Sequence, residues 1–131
     1  MGHILVTGGA GYIGSHTVHF LLRAGHRVTV ADNLVKGYRH NIPSEVLQVV
    51  DLAETKKLEE LLTGVDAVIH FAAYIAVGES SKVPERYFTN NVSGTISLFN
   101  AMVDAGVRKI VFSSTEIPHK CPFLKRCPSS R

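Results

Sequence analysis

The chain has 131 residues, the size of one domain with a single modest core. Its 45% apolar and 19% charged residues give an ordinary globular balance and exclude a disordered chain. The net charge of +3 is confined to the end: residues 1–115 hold ten Lys/Arg and ten Asp/Glu, and the excess comes from Lys120, Lys125, Arg126 and Arg131 against Glu116. A basic tail on a neutral domain offers no phosphate-binding face, so nucleic acid is excluded as a partner.

No secretory leader is visible, because Ile4, Leu5 and Val6 run straight into Thr7-Gly8-Gly9. The longest apolar run, Phe71 to Val77, falls far short of the roughly 20 residues of a membrane helix. Met1-Gly2 lacks the Ser or Thr at position 6 that myristoylation wants, which is Val6 here. A cytoplasmic protein with no membrane partner is expected. Cys121 and Cys127 are not spaced C-x-x-C and have only His119 near them, so they read as reduced thiols, and no metal site is expected.

Along the chain, short β-rich runs alternate with helical periodicity. His3–Val6 is an apolar run ending at glycines, a buried strand. From Tyr12 to Ala24, Ile13, Val18, Leu21 and Leu22 keep to one side of a helix closed by Gly25. Arg27–Ala31 and Val46–Val50 are the second and third strands, separated by a polar connection with Gly37, Asn41 and Pro43. Leu58, Leu61 and Leu62 mark a short amphipathic helix, and Ala67–Phe71 is the fourth strand. Phe88, Val92, Ile96, Phe99 and Val103 form one stripe of a long helix, with Pro84 suited to its first turn and Gly106 to its end. Lys109–Ser113 is the fifth strand. Strand–helix–strand alternation implies parallel pairing through right-handed crossovers. The expected fold is a doubly wound α/β sheet, ordered 3-2-1-4-5. Residues 116–131, with prolines at 118, 122 and 128, read as an irregular tail behind a domain spanning 1–115.

At the first strand–helix junction stands Thr7-Gly8-Gly9-Ala10-Gly11-Tyr12-Ile13-Gly14. Gly9, Gly11 and Gly14 satisfy G-x-G-x-x-G, while Gly8, Gly11 and Gly14 satisfy G-x-x-G-x-x-G. Small residues suit a tight turn, a pyrophosphate approaching bare N–H groups, and a helix pressed on its strand. Such a motif alone marks only a tight turn; within a strand–helix–strand unit it points to a dinucleotide. Asp32 follows the second strand, where a carboxylate accepts hydrogen bonds from ribose hydroxyls and repels a 2′-phosphate, so NAD is expected over NADP. The alternative makes Asp32 a turn cap with Asn33. Asp51-Leu52, after the third strand, is placed to meet the adenine amino group, or else is a simple strand-end turn.

These segments together resemble the N-terminal part of the UDP-glucose 4-epimerases, a family of NAD-dependent extended short-chain dehydrogenases with a Rossmann fold. The resemblance rests on T-G-G-A-G-Y-I-G-S-H-T (7–17), D-N-L (32–34), H-F-A-A-Y-I-A-V-G-E-S (70–80), N-N-V-S-G-T (90–95) and K-I-V-F-S-S-T (109–115). The glycine loop is shared across the superfamily, whereas V-G-E-S before N-N-V-x-G-T is more particular to the epimerases. Carried over, the resemblance implies pyrophosphate contacts from the backbone of Tyr12 and Ile13, and an adenosine side lined by Asp32, Asn33 and Gly37. It implies a strand-four wall of Phe71, Ala72 and Ala73, and Asn90 near the nicotinamide ribose. Thr115 would bond the sugar's 4-oxygen. Without that register, Phe71 reads as core, Asn90 as a helix-surface amide and Thr115 as a strand-end hydroxyl. The family has His at the position of His70 without acid/base duty, so His70 reads as structural.

The chain departs from the pattern at Ile75, where many epimerases have a cofactor-contacting lysine. The family's A-x-x-Y-G stretch and Y-x-x-x-K pair do not follow Ser113-Ser114-Thr115; instead Pro118-x-Lys120-x-Pro122-Phe123 is similar to the family's P-x-K-x-P-I loop. The catalytic base and the substrate domain are therefore expected to be missing. The resemblance implies interconversion of UDP-glucose and UDP-galactose through a 4-keto sugar, a UDP-hexose partner, and homodimers for intact members. Two alternatives stand: part of another NAD-dependent sugar-nucleotide dehydratase or decarboxylase, and a non-catalytic NAD-binding fragment.

Overall fold

The computed structural model describes residues 1–72, 85 and 89–113, with only the backbone course of Thr89 and Asn90. Five parallel strands form one sheet: β1 (His3–Thr7), β2 (Arg27–Asp32), β3 (Leu47–Val49), β4 (Ala67–His70) and β5 (Ile110–Phe112). Their order, β3-β2-β1-β4-β5, is the one expected from the alternation of elements. Thr7, at the end of β1, lies opposite Ala31 of β2 on one side and His70 of β4 on the other. The order turns back at β1, the kind of switch point outside whose carboxyl end doubly wound sheets bind ligands.

Side chains alternate across a strand, and β1 shows the consequence. Val6 joins Val18 and Leu21 of α1 (Tyr12–Arg23), with Val28, Val30 and Leu47, on one face. Leu5 joins Leu58 and Leu62 of α2 (Thr55–Leu62) and Leu98, Ala101 and Met102 of α3 (Gly94–Ala105) on the other. Both faces of the sheet are thus covered, which is why its central strands read as continuous apolar runs. At the end of α1, the N–H of Gly25 bonds the carbonyl of Leu22 and that of His26 the carbonyl of Leu21, stopping the helix where the glycine was expected to.

Two helical expectations differ from the structure. Ile13 does not share the buried side of α1; it is exposed at the first turn, while Gly14 and Ser15 are buried there. The stripe Val92, Ile96, Phe99 and Val103 faces outward rather than into the core. The buried side of α3 is Gly94, Leu98, Ala101 and Met102, where two small residues let the helix lie close to α2 and to Leu52. Before α3, residues Thr89–Ser93 form a π turn rather than α-helix. Phe88, Pro84 and the tail 116–131 lie outside the described residues.

Candidate functional site

Three segments meet at the carboxyl end of β1: the glycine loop 7–14, the connection 32–41, and the end of β4 at His70–Ala72. The loop's glycines divide into two kinds. Gly8 has φ +70, and a Cβ there would lie 2.7 Å from the backbone nitrogen of Ala72. A Cβ on Gly14 would strike the carbonyl oxygen of Gly8, and one on Gly9 would lie 2.7 Å from Val30. These three are demanded by the chain's own packing. Gly11 is not: its φ of −74° suits any residue, and its Cβ would make only an ordinary 3.4 Å contact with the Gly8 carbonyl. A bare Gly11 keeps the surface over the start of α1 clear.

That start carries donors. The first bond into the helix runs from the N–H of Ser15 to the carbonyl of Gly11 at 2.9 Å, and no side chain caps it. The N–H groups of Tyr12, Ile13 and Gly14 precede that bond and belong to the orphan donors of a helix N-terminus, at the positive end of its dipole. An anion fits there.

Asp32 is buried at the end of β2. Its Oδ2 accepts from the N–H of Ala10 at 3.0 Å and its Oδ1 from the N–H of Leu34 at 2.8 Å. One carboxylate thereby staples the glycine loop to the following connection and holds Leu34 in a left-handed conformation, φ 61°. Each oxygen retains a lone pair for a further donor. The connection is fastened again at the carbonyl of Ala10, which accepts from the N–H of Tyr38 at 3.1 Å and from Asn41 Nδ2 at 2.8 Å. Gly37 packs against Ala10 and Asp32, leaving no room for a side chain between them. Asn33 reaches Asp51, donating from Nδ2 to Oδ2 at 3.2 Å, so these two stand side by side beyond β2 and β3. Asp51 Oδ1 also accepts from the N–H of Ala53, and Glu54 Oε1 accepts from the N–H of Asp51. The Lys57 ammonium and then that Asp51 N–H hold the Glu54 carboxyl below its usual range. The Leu52 side chain is buried in the α2–α3 core, so only its backbone adjoins Asp51 on the side of the site.

On the other side of β1, Phe71 donates its N–H to the carbonyl of Thr7 at 2.9 Å, and Phe71–Ala72 backs directly onto Gly8. His70 is buried, with Nδ1 2.6 Å from Thr7 Oγ1 and Nε2 3.0 Å from Thr95 Oγ1. Burial pushes its pKa down to about 4, so the ring is neutral. The Thr95 hydroxyl donates to the carbonyl of Asn91 at 2.8 Å, which leaves its oxygen to accept from Nε2–H. Nδ1 is then bare and accepts from the Thr7 hydroxyl. Thr7, Asn91 and Thr95 were not singled out in the sequence; only contacts across the fold reveal them. Asn90 lies in the π turn beside Asn91, while Ala73 and Thr115 lie outside the described residues. Among the described residues no cluster of His, Cys, Asp or Glu could hold a metal ion, and no helix is long and apolar enough to cross a membrane.

Residues 4–124 match the family described as NAD dependent epimerase/dehydratase. The chain belongs to this family. It is 51% identical over 114 residues to a UDP-glucose 4-epimerase of Halalkalibacterium halodurans, covering 86% of this chain and 34% of that protein. Its fold superposes on a crystal structure of UDP-glucose 4-epimerase from Stenotrophomonas maltophila with bound NAD and formylated UDP-arabinopyranose. The TM-score is 0.83 at 41% identity, covering 87% of this chain and 37% of that one. The enzyme from Brucella ovis in complex with NAD gives the same TM-score, 0.83, at 39% identity, over 87% and 36% of the two chains. The chain therefore spans little more than a third of the length of these relatives.

Proposed function

We propose that this chain forms the NAD-binding part of a UDP-glucose 4-epimerase, which interconverts UDP-glucose and UDP-galactose through a 4-keto sugar. The observation that carries the reading is the cleared Gly11 over the orphan donors of α1, with the Asp32 carboxylate at the neighbouring strand end. In this placement the N–H groups of Tyr12 and Ile13 receive the pyrophosphate. Asp32 takes the adenosine ribose hydroxyls on its remaining lone pairs, Asn33 and Gly37 line the adenosine, and Asp51 with Leu52 meets the adenine end. Phe71, Ala72 and Ala73 wall the other half, with Asn90 at the nicotinamide ribose and Thr115 at the sugar's 4-oxygen. When bound, NAD would supply a reversible hydride acceptor for C4 of a UDP-hexose. The relatives crystallised with NAD support the cofactor, and the UDP-sugar in one of them supports the substrate class. The intact enzyme is proposed as a cytoplasmic homodimer of galactose metabolism.

A second reading is favoured by a feature of the sequence: none of Tyr12, Tyr38, Tyr74 and Tyr87 has Lys four residues later. It makes this polypeptide a non-catalytic NAD binder. Both readings share the cofactor, and calorimetry with NAD and NADP tests it. The parent is expected to prefer NAD, and Asp32→Ala to narrow the gap by about 1–3 kcal/mol. The ratio is the quantity to read, because loosening of the Ala10 and Leu34 staples would weaken both cofactors alike. Equal affinities in the parent would sink the assignment.

A further inference from the structure

We infer that His70 is a positioning residue: its imidazole ties the strand that feeds the phosphate loop to the π turn at 89–93, and so holds the nicotinamide half of the site in register with the phosphate half. The inference rests on the NAD reading given above and adds a tie that joins the two halves.

A hydrogen-bond chain with one direction carries the argument. It runs from the Thr7 hydroxyl to His70 Nδ1, from Nε2–H to the Thr95 hydroxyl, and from that hydroxyl to the Asn91 carbonyl. Every member has a partner, and the last donation fixes the tautomer of the ring. One end is adjacent in sequence to Gly8, whose backbone shapes the phosphate loop, and the other end lies inside the π turn. The adenosine side lies over β2 and β3, where Asp32 and Asp51 stand, so a dinucleotide crossing the switch point places its other half over β4.

Packing alone does not account for an imidazole here. Apart from its partner Thr7, the other buried positions of β1 and β4 are Leu5, Val6 and Val68, and an apolar pair would fill this depth without polar atoms to satisfy. A π turn at the entrance to a helix is uncommon and needs a local cause. A Thr hydroxyl returning to the carbonyl four residues back bends a helix. Here that hydroxyl is itself held by His70, so the bend is anchored to the sheet rather than left to the helix. The Phe112 ring, 5.2 Å from the imidazole, closes over it.

The test uses the full 131-residue chain and two ligands: NAD, which spans both halves, and ADP, which occupies only the adenosine and phosphate half. Thr95→Val keeps the shape and removes the hydroxyl. It is expected to weaken NAD about tenfold, the scale of one buried hydrogen bond, while ADP stays within about twofold. Thr95→Ser is expected to restore NAD binding. Equal weakening of both ligands, or of neither, overturns the inference. A parent that binds neither ligand overturns the reading of the site instead. The tie is then still decided by the ring itself, because ¹⁵N shifts of His70 in the cofactor-free parent report its tautomer. Nε2-protonated imidazole supports it and Nδ1-protonated imidazole overturns it, whether or not the Thr95 variants fold.

Discussion

His70 and Gly11 show how single residues here serve demands that differ in kind. The folded His70 titrates near 4, below the value of about 6.5 for an unfolded histidine. Between those values the unfolded chain binds a proton that the folded chain refuses. Stability therefore rises as pH climbs from about 4 to 6.5 and levels off above, and this one group contributes up to about 3 kcal/mol to the rise. Urea melts across that window check it, with His70→Gln expected to flatten the profile; a parent midpoint that did not move with pH would show that the ring is not buried neutral. The glycines offer a sharper contrast. Gly14→Ala drives a methyl into the Gly8 carbonyl and should lower the melting temperature by several degrees, since overpacking costs about 1–3 kcal/mol. Gly11→Ala meets no crowding and should leave melting near the parent while weakening NAD at least tenfold. Two variants alike in both readouts would remove the distinction between packing glycines and binding glycines.

At the scale of elements, the strands, α1 to α3 and the strand order among the described residues were legible because period-2 and period-3.6 apolar patterns alternate cleanly between turn residues. The tight turn of the glycine loop was legible because close packing of helix on strand demands small residues at fixed spacing, as the crowding at Gly8, Gly9 and Gly14 shows. The direction of α3 was not. Its apolar residues cover more than one side, and periodicity cannot say which of two apolar stripes meets the sheet; small residues at Gly94 and Ala101 decide it by allowing close approach. Nor was the staple function of Asp32 visible, since its partners are backbone N–H groups at positions 10 and 34. The helix makes a prediction in both directions. Leu98→Ala, at a fully buried site, should cost about 2–5 kcal/mol. Phe99→Glu, on the outward stripe, should stay within about 0.5 kcal/mol in the monomer's melt. It should nevertheless reduce self-association, because Val92, Ile96, Phe99 and Val103 form an exposed apolar patch of the kind that proteins cover. Among the described residues β5 pairs only with β4, and its exposed Val111 and Phe112 add a second route to association. Light scattering on the parent and the variant reads both; a monodisperse parent would contradict them.

For the whole molecule, the question is what these 131 residues do with a sugar. Epimerisation at C4 moves one hydride and one proton. In the proposed placement the loop 8–14, Asp32 and the π turn carrying Asn90 would hold the hydride acceptor. Among the described residues the proton has no comparable destination. The imidazole at these strand ends among the described residues is His70, which is buried, neutral and already bonded at both nitrogens. Thr115 is a hydroxyl, which is not a base at neutral pH, and no tyrosine of this sequence is paired with a lysine four residues on. Positioned acid–base catalysis is worth roughly 10²–10⁴ in rate. Holding the sugar in a reactive geometry is worth about 7–11 kcal/mol more, and the relatives devote to other segments the nearly two thirds of their length that this chain does not match. The polypeptide by itself is therefore expected to bind NAD without turning over UDP-galactose. The measurement is chromatographic detection of UDP-glucose after incubation of the purified chain with UDP-galactose and saturating NAD. Product that scales with this protein and vanishes on Thr115→Val would mean that a base operates in the chain outside the arrangement described for His70, and the non-catalytic reading would have to be given up.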